Sequence, residues 1–161
     1  TSPVSARFVI SRRPGTAAAA ESVDVELMLQ VHEALLFHAS KPQFVDVIRN
    51  EGMDERVSSR GLFGTGLYFA ENASKSHDYA ADSGGGVYTM FAVRVALGDP
   101  YVTRRQNMSD LRRPPAVDAR PTQRHDSVLA ENGGAQAYHR EFIIYDRAQC
   151  YAEFLISYRV E

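Results

Sequence analysis

Apolar and polar positions repeat with two periods along the chain, and the places where the period changes mark its elements. Arg7-Phe8-Val9-Ile10-Ser11 reads as a short strand. From Ser22, a residue suited to an N-cap, apolar residues recur at Val23, Leu27 and Val31, which predicts a helix over Val23 to Leu35. The run Leu35-Leu36-Phe37-His38-Ala39 either ends that helix or forms a buried strand. Pro42 at a helix start, then Phe44, Val47 and Ile48 with Gly52 beyond them, predicts an amphipathic helix. Leu67 to Ala70 is strand-like, and Asn72 is placed to cap a short helix carrying Ser76 and Tyr79. Gly84-Gly85-Gly86 leads into a long strand, Val87 to Leu97, stopped by Gly98 and Pro100. Glu141 to Tyr145 and Cys150 to Val160 read as two further strands joined by Asp146-Arg147-Ala148. Tyr101 to His125, polar and holding Pro114-Pro115, reads as an extended surface loop. Thr1 to Ser5 reads as a frayed end and Arg12 to Ala20 as a loop, so residues 1–21 form a poorly defined segment. No internal repeat is visible. Strands outnumber helices without regular alternation, which predicts an α+β fold with mostly antiparallel sheet.

Composition narrows the class. At 161 residues and 17.9 kDa the chain suits one domain, 1–161, with a single core. Hydrophobic residues at 44% and charged residues at 24% exclude a disordered or collagen-like chain. The formal charge of -2 disfavours direct nucleic-acid binding, which draws on a basic excess. Arg104, Arg105, Arg112, Arg113, Arg120 and Arg124 cluster in one region, which reads as a solvated loop in preference to a contact for phosphates. Cys150 is the single cysteine, excluding an internal disulfide or a cysteine-rich zinc site and fitting a reducing compartment. No apolar run suits a membrane span and no signal-peptide pattern opens the chain, so an intracellular protein of cytoplasm or nucleus is expected.

General chemical templates fail. Gly61-x-x-Gly64-x-Gly66 precedes a strand instead of linking strand to helix, and it has no lysine, so neither nucleotide-loop context applies. His32, His38, His77, His125 and His139 show no metal-ligand spacing, and no metal is expected. No serine sits in a nucleophile elbow.

Three fragments in order are more informative. They are Leu36-Phe37-His38-Ala39-Ser40, then Gly64-Thr65-Gly66-Leu67-Tyr68-Phe69-Ala70-Glu71-Asn72-Ala73-Ser74-Lys75-Ser76-His77-Asp78-Tyr79, then Glu141-Phe142-Ile143-Ile144-Tyr145-Asp146 followed by Gln149 and Tyr151 to Ile156. Together they resemble the catalytic domain of the poly(ADP-ribose) polymerase family, diphtheria-toxin-like ADP-ribosyltransferases, and most closely its tankyrase branch. The likeness runs from His38 to the C-terminus. It implies the ADP-ribosyltransferase fold, with a few short helices around a cleft for NAD as co-substrate. It further implies a His38–Tyr68–Glu141 triad. By resemblance His38 bonds the adenosine ribose, the Ala39 backbone and the Ser76 hydroxyl grip the carboxamide, and Tyr68 and Tyr79 bracket the nicotinamide ring. Glu141 takes the ribose 2′-hydroxyl, and Ser40, Phe69 and Ala70 complete the NAD-binding set. Implied partners are protein acceptors or the chain itself, and nicotinamide-like inhibitors.

Those roles are chemically sensible. Cleaving the ribose–nicotinamide bond builds positive charge on the sugar, which a carboxylate stabilises in a site poor in water. Tyrosine rings offer flat apolar faces to an aromatic leaving group. The same carboxylate can take a proton from an acceptor hydroxyl. Within the family the glutamate-containing triad is the version compatible with chain elongation, so the resemblance implies poly- over mono-ADP-ribosylation. Two alternatives stay open: a catalytically weak NAD or ADP-ribose-binding module or scaffold, and an NAD glycohydrolase.

Four departures from the family pattern bear on this. The glycine after the histidine is Ala39 here; alanine costs on the order of 1 kcal/mol if the position needs positive φ, and must merely fit if it is extended. Asp82-Ser83-Gly84-Gly85-Gly86 stands where tankyrases carry a cysteine-rich zinc site. The loop Asp54 to Gly61, which lies over the site in the family, is short, and Tyr138-His139-Arg140-Glu141 reads as holding one extra residue before the glutamate.

Overall fold

A computed structural model of the chain describes residues 4–10, 21–133 and 139–160. The chain opens with β1 (Val4–Ile10) and β2 (Glu21–Leu27), an antiparallel pair with Val4 opposite Leu27. The predicted strand from Arg7 is therefore present as far as Ile10, Ser11 lying outside the described residues; Val4 and Ser5, expected in a frayed end, belong to it through pairing with β2. The predicted loop Arg12 to Ala20 lies wholly outside the described residues, as do Thr1 to Pro3.

The helix predicted over Val23 to Leu35 does not form. The segment is β2, a single 3-10 turn at Leu29–Val31, and β3 (Glu33–Ala39). The every-fourth-residue spacing of Val23, Leu27 and Val31 concealed a stricter alternation, Val23-Asp24-Val25-Glu26-Leu27, whose valines favour extended backbone. The run Leu35 to Ala39 belongs to a strand inside the main sheet, with Leu36 and Ala39 buried.

α1 (Pro42–Glu51) follows with Pro42 in its first turn and Gly52 after it at φ +81. Then come β4 (Leu67–Ala70), α2 (Ala73–His77), β5 (Tyr88–Ala96), β6 (Pro100–Thr103), β7 (Ala116–Val117), β8 (Arg120–Arg124), β9 (Ser127–Gly133), β10 (His139–Ile144) and β11 (Cys150–Tyr158). Asn72 holds the N-cap position of α2 without a side-chain capping bond; its amide instead reaches His139 Nδ1 at 3.3 Å.

The stretch read as one surface loop, Tyr101 to His125, carries β6 and the β7–β8 hairpin. β6 is held by a parallel pairing with β9, far along the chain, and β8 is exposed throughout, so neither leaves a hydrophobic period.

One seven-stranded sheet, in the order β11-β5-β3-β4-β10-β9-β6, organises the domain. Every pairing in it is antiparallel except β6 with β9. Strand alternation sorts its side chains between two clusters. Leu36, Leu67, Phe69, Phe91, Val93, Val95, Phe142 and Ile144 form the larger, covered by Val45 and Ile48 of α1. Phe63, Val128, Ala130 and Ile143 form the smaller, with Tyr68 and Tyr145 packed against it. The α+β class with mostly antiparallel sheet is observed.

Candidate active site

The site begins where two central strands part. β3 and β4 share one paired position, Phe37 with Ala70, and the strands run on without further pairing toward Ala39 and Tyr68. The His38 ring takes up a freed backbone acceptor: its Nδ1–H donates to the Tyr68 carbonyl at 2.9 Å. A carbonyl only accepts, so Nδ1 carries the proton and a neutral ring keeps a lone pair on Nε2. Burial lowers the His38 pKa from the ordinary 6.5, and the bond to Tyr68 opposes that shift without reversing it. Ala39 is extended and paired with Met90, outside the positive-φ region that His32 occupies, so its methyl meets no backbone strain.

Tyr68 is locked by its hydroxyl, which donates to the Gly64 carbonyl at 2.8 Å and accepts the Phe63 N–H at 2.9 Å. Burial pushes that hydroxyl up to about 12, so it stays protonated. The glycine-spaced segment exists to allow this contact. Gly61 and Gly64 exchange two backbone bonds, and a Cβ on Gly61 would stand 2.6 Å from the Tyr68 ring. Gly64 sits at φ +83 with its missing Cβ 1.8 Å from the Leu111 carbonyl oxygen. Gly61 thus makes room for the Tyr68 ring and Gly64 for the Leu111 backbone.

The register of β4 on β10 carries Glu141 to the same face. Tyr68 pairs with Ile143 and Ala70 with Glu141, so Tyr68 and Glu141 are diagonal neighbours on the cleft side. Glu141 is 6% exposed, and its Oε1 lies 2.8 Å from Lys75 Nζ, itself buried on α2. Ser76 beside it is also buried, and Tyr79, past the end of α2, remains exposed. His77 fixes α2 from behind: its Nδ1 meets the Tyr158 hydroxyl at 2.8 Å, and its ring lies edge-on to Tyr88.

These parts enclose a cavity of about 400 Å³ lined by His38, Ala39, Tyr68, Phe69, Ala70, Lys75, Ser76, Tyr79 and Glu141, with Ser58 to Leu62 on the opposite wall. Phe69 borders it while its ring is buried in the larger core cluster, 5.8 Å from the His38 ring. Ser40 lies elsewhere, in an adjoining cavity of about 420 Å³ against α1 that shares His38, Ala39, Ser58, Ser59 and Leu67. Both volumes fall in the roughly 300–1,000 Å³ of small-molecule sites. The wall segment is tied down by the Ser58 hydroxyl, whose single proton is shared between the Glu55 and Gly66 carbonyls, each 2.9 Å from Oγ. Sequence reasoning missed Lys75 as a wall residue, whereas Ser58 to Arg60 belong to the loop Asp54 to Gly61 that the resemblance placed over the site. Lys75 had one signal: it is one of two lysines in an arginine-rich chain and adjoins Ser76.

Tyr138, named in the expected extra residue before Glu141, lies outside the described residues. Where His139 and Glu141 pair with β9, at Gly133 and Ala130, the register does shift, with the additional residue on β9. Among the described residues no group of three histidines, cysteines or carboxylates is placed to hold a metal, and no helix is long and apolar enough to cross a membrane.

Comparison with known proteins bears directly on this geometry. The model of the poly(ADP-ribose) polymerase catalytic domain matches residues 12–160. Protein mono-ADP-ribosyltransferase PARP12 of Mus musculus is 34% identical over 133 residues, spanning 80% of this chain and 17% of its own length. Protein mono-ADP-ribosyltransferase PARP11 of Homo sapiens is 27% identical over 150 residues, spanning 80% of this chain and 42% of its own. A probable poly [ADP-ribose] polymerase of Dictyostelium discoideum is 30% identical over 131 residues, spanning 79% of this chain and 34% of its own. With a cleft built from His38, Tyr68 and Glu141 and a match over nearly its whole length, the chain belongs to the poly(ADP-ribose) polymerase catalytic domain family.

Proposed function

We propose that this domain cleaves NAD at the nicotinamide–ribose bond and transfers the ADP-ribosyl group to a protein acceptor. The observation that carries this reading is Glu141, a carboxylate buried at the cavity wall beside Lys75 and diagonal to the locked ring of Tyr68. A fixed carboxylate in a water-poor site stabilises the positive charge that develops on the ribose, and it costs no reorganisation at the moment of reaction. The flat ring of Tyr68 serves as the platform for the nicotinamide, with Tyr79 as the outer, exposed wall. The Tyr68 hydroxyl is already fully bonded, so its part is shape and not proton transfer. Ser76 and the unpaired edge of β3 at Ala39 are suited to a carboxamide, which needs both donors and an acceptor. The free Nε2 of His38, at the junction of the two cavities, is suited to accept a ribose hydroxyl.

The number of units attached is the finer part of the reading. A carboxylate able to deprotonate an incoming ribose hydroxyl supports elongation, hence poly-ADP-ribosylation. Similarity to the mono-ADP-ribosyltransferases PARP12 and PARP11 supports a second reading, single transfer. Incubation with labelled NAD, resolved on a gel and assayed for free nicotinamide, separates these. A ladder on protein supports elongation and one band supports single transfer. Nicotinamide release without protein label would make the domain a glycohydrolase, and neither product would leave a binding module.

A further inference from the structure

Glu141 is the last backbone-paired residue of β10 on β4, and this end of the sheet is held by charge. The positions Ala70, Glu141, Ala130 and Thr103 form one row across β4, β10, β9 and β6. One residue beyond it on each strand stand Glu71, Arg140, Glu131 and Arg104, alternating in sign. Arg140 binds Glu71 through both guanidinium arms, with Nε to Oε1 at 2.8 Å and Nη2 to Oε2 as the second contact. Arg104 Nε binds Glu131 Oε2 at 2.6 Å. Arg140 and Glu131 stand on neighbouring strands between these two pairs, beside the register shift where β9 carries its additional residue, and their opposite charges attract. One position further out, Asn72 meets His139.

Rows alternate faces, so these charges lie behind the sheet while Glu141 points into the cleft. The Arg140 guanidinium rests over the Phe142 ring at 5.6 Å, on that same rear face. Backbone pairing with β4 stops at Glu141, and pairing with β9 is irregular beside it. The bulge bends β9 just outside the Ala130–Glu141 pair, so regular backbone pairing on both sides of β10 ends at Glu141.

We infer that the alternating row Glu71–Arg140–Glu131–Arg104 continues the strand register beyond its last backbone pairs and so fixes the position of Glu141. Arg140 is thereby a positioning residue for the reaction proposed above, on which this inference rests. An isolated exposed ion pair would do little, but a bidentate pair within a network sets geometry. Catalysis is sensitive to small displacements of a charged group, whereas binding of the nicotinamide end depends on Tyr68, Ser76 and Ala39, which the row does not touch.

The test is Arg140→Met, which keeps an aliphatic stem over Phe142 and removes the charge. NAD turnover should show kcat lower by about 10-fold, with KM for NAD and benzamide binding within about twofold of wild type. Arg140→Lys should recover part of the loss, and Glu71→Gln should reproduce the split from the other partner. Raising ionic strength should narrow the gap between wild type and Arg140→Met, a trend that a packing defect would not produce. Unchanged kcat in both Arg140→Met and Glu71→Gln, or KM rising in step with the loss, overturns the inference if Glu141→Gln is inactive. Full activity in Glu141→Gln overturns the proposed reaction and this inference with it.

Discussion

Replacing Glu141 with glutamine separates the charge of the site from its shape. The side chains are nearly isosteric, and the amide oxygen can still accept from Lys75 Nζ where Oε1 now stands 2.8 Å away. What disappears is the charge–charge attraction, about 6 kcal/mol at that distance for an effective dielectric of about 20, much of it offset by the desolvation of both ions. The stability loss should therefore fall below the roughly 3–5 kcal/mol of deleting one member of a buried pair outright. Catalysis should suffer more than stability, because the lost attraction to a cationic sugar is made mainly in the transition state. We expect kcat to fall about 100- to 1,000-fold, or about 3–4 kcal/mol, with a small change in KM. Acceptor transfer, which also needs the base, should fall further than hydrolysis. The assay is steady-state nicotinamide release beside a thermal melt, run also on the Lys75→Met/Glu141→Gln double variant. The double variant should regain stability and stay inactive. Near-normal turnover in Glu141→Gln, or activity restored along with stability in the double variant, would refute the catalytic role and leave a structural ion pair.

Four further outcomes are expected. Ala39→Gly removes a methyl from an extended, buried strand position, so it should cost roughly 0.5–1 kcal/mol in a melt while holding or raising NAD turnover; a clear loss of activity would mean the site is built around alanine. Gly61→Ala places a Cβ 2.6 Å from the Tyr68 ring, so the ring must shift: a melt should show a loss on the order of the 1–3 kcal/mol of overpacking, and initial-rate kinetics a rise in KM for NAD. Benzamide should raise the melting temperature, since a ligand selective for the folded cleft adds stability; an unmoved melt at saturation would count against the nicotinamide subsite. Acidification should act through His38. Its folded pKa lies below the ordinary 6.5, so as pH falls through that value the unfolded chain takes up a proton the folded chain resists. Stability contributed by neutral His38 is thus full above that pH and declines below it, and KM for NAD should rise as Nε2 loses its lone pair. His38→Gln should flatten both trends.

What the sequence determined by itself was local order. Period and punctuation placed α1, β4, β5 and β11 to within a few residues, because Pro42, Gly52 and Gly98 act on their own neighbours. The ordered fragments around His38, Tyr68 and Glu141 named a family and a set of residues that the fold brings to one cavity, Ser40 excepted. Tertiary structure alone decided the rest, since it depends on partners distant along the chain. Val23 to Leu35 became two strands and a turn because β1 and β5 were there to pair with them, which outweighed a weak helical spacing. β6 emerged from a polar stretch because β9 offered a parallel edge. Lys75 became the partner of Glu141 because α2 lies over the β4–β10 register, and the roles of Gly61 and Gly64 followed from a ring and a carbonyl that no local pattern announces. A chain can write its periods into neighbouring residues; the meeting of a carboxylate and an ammonium 66 positions apart is set only by how the strands stack.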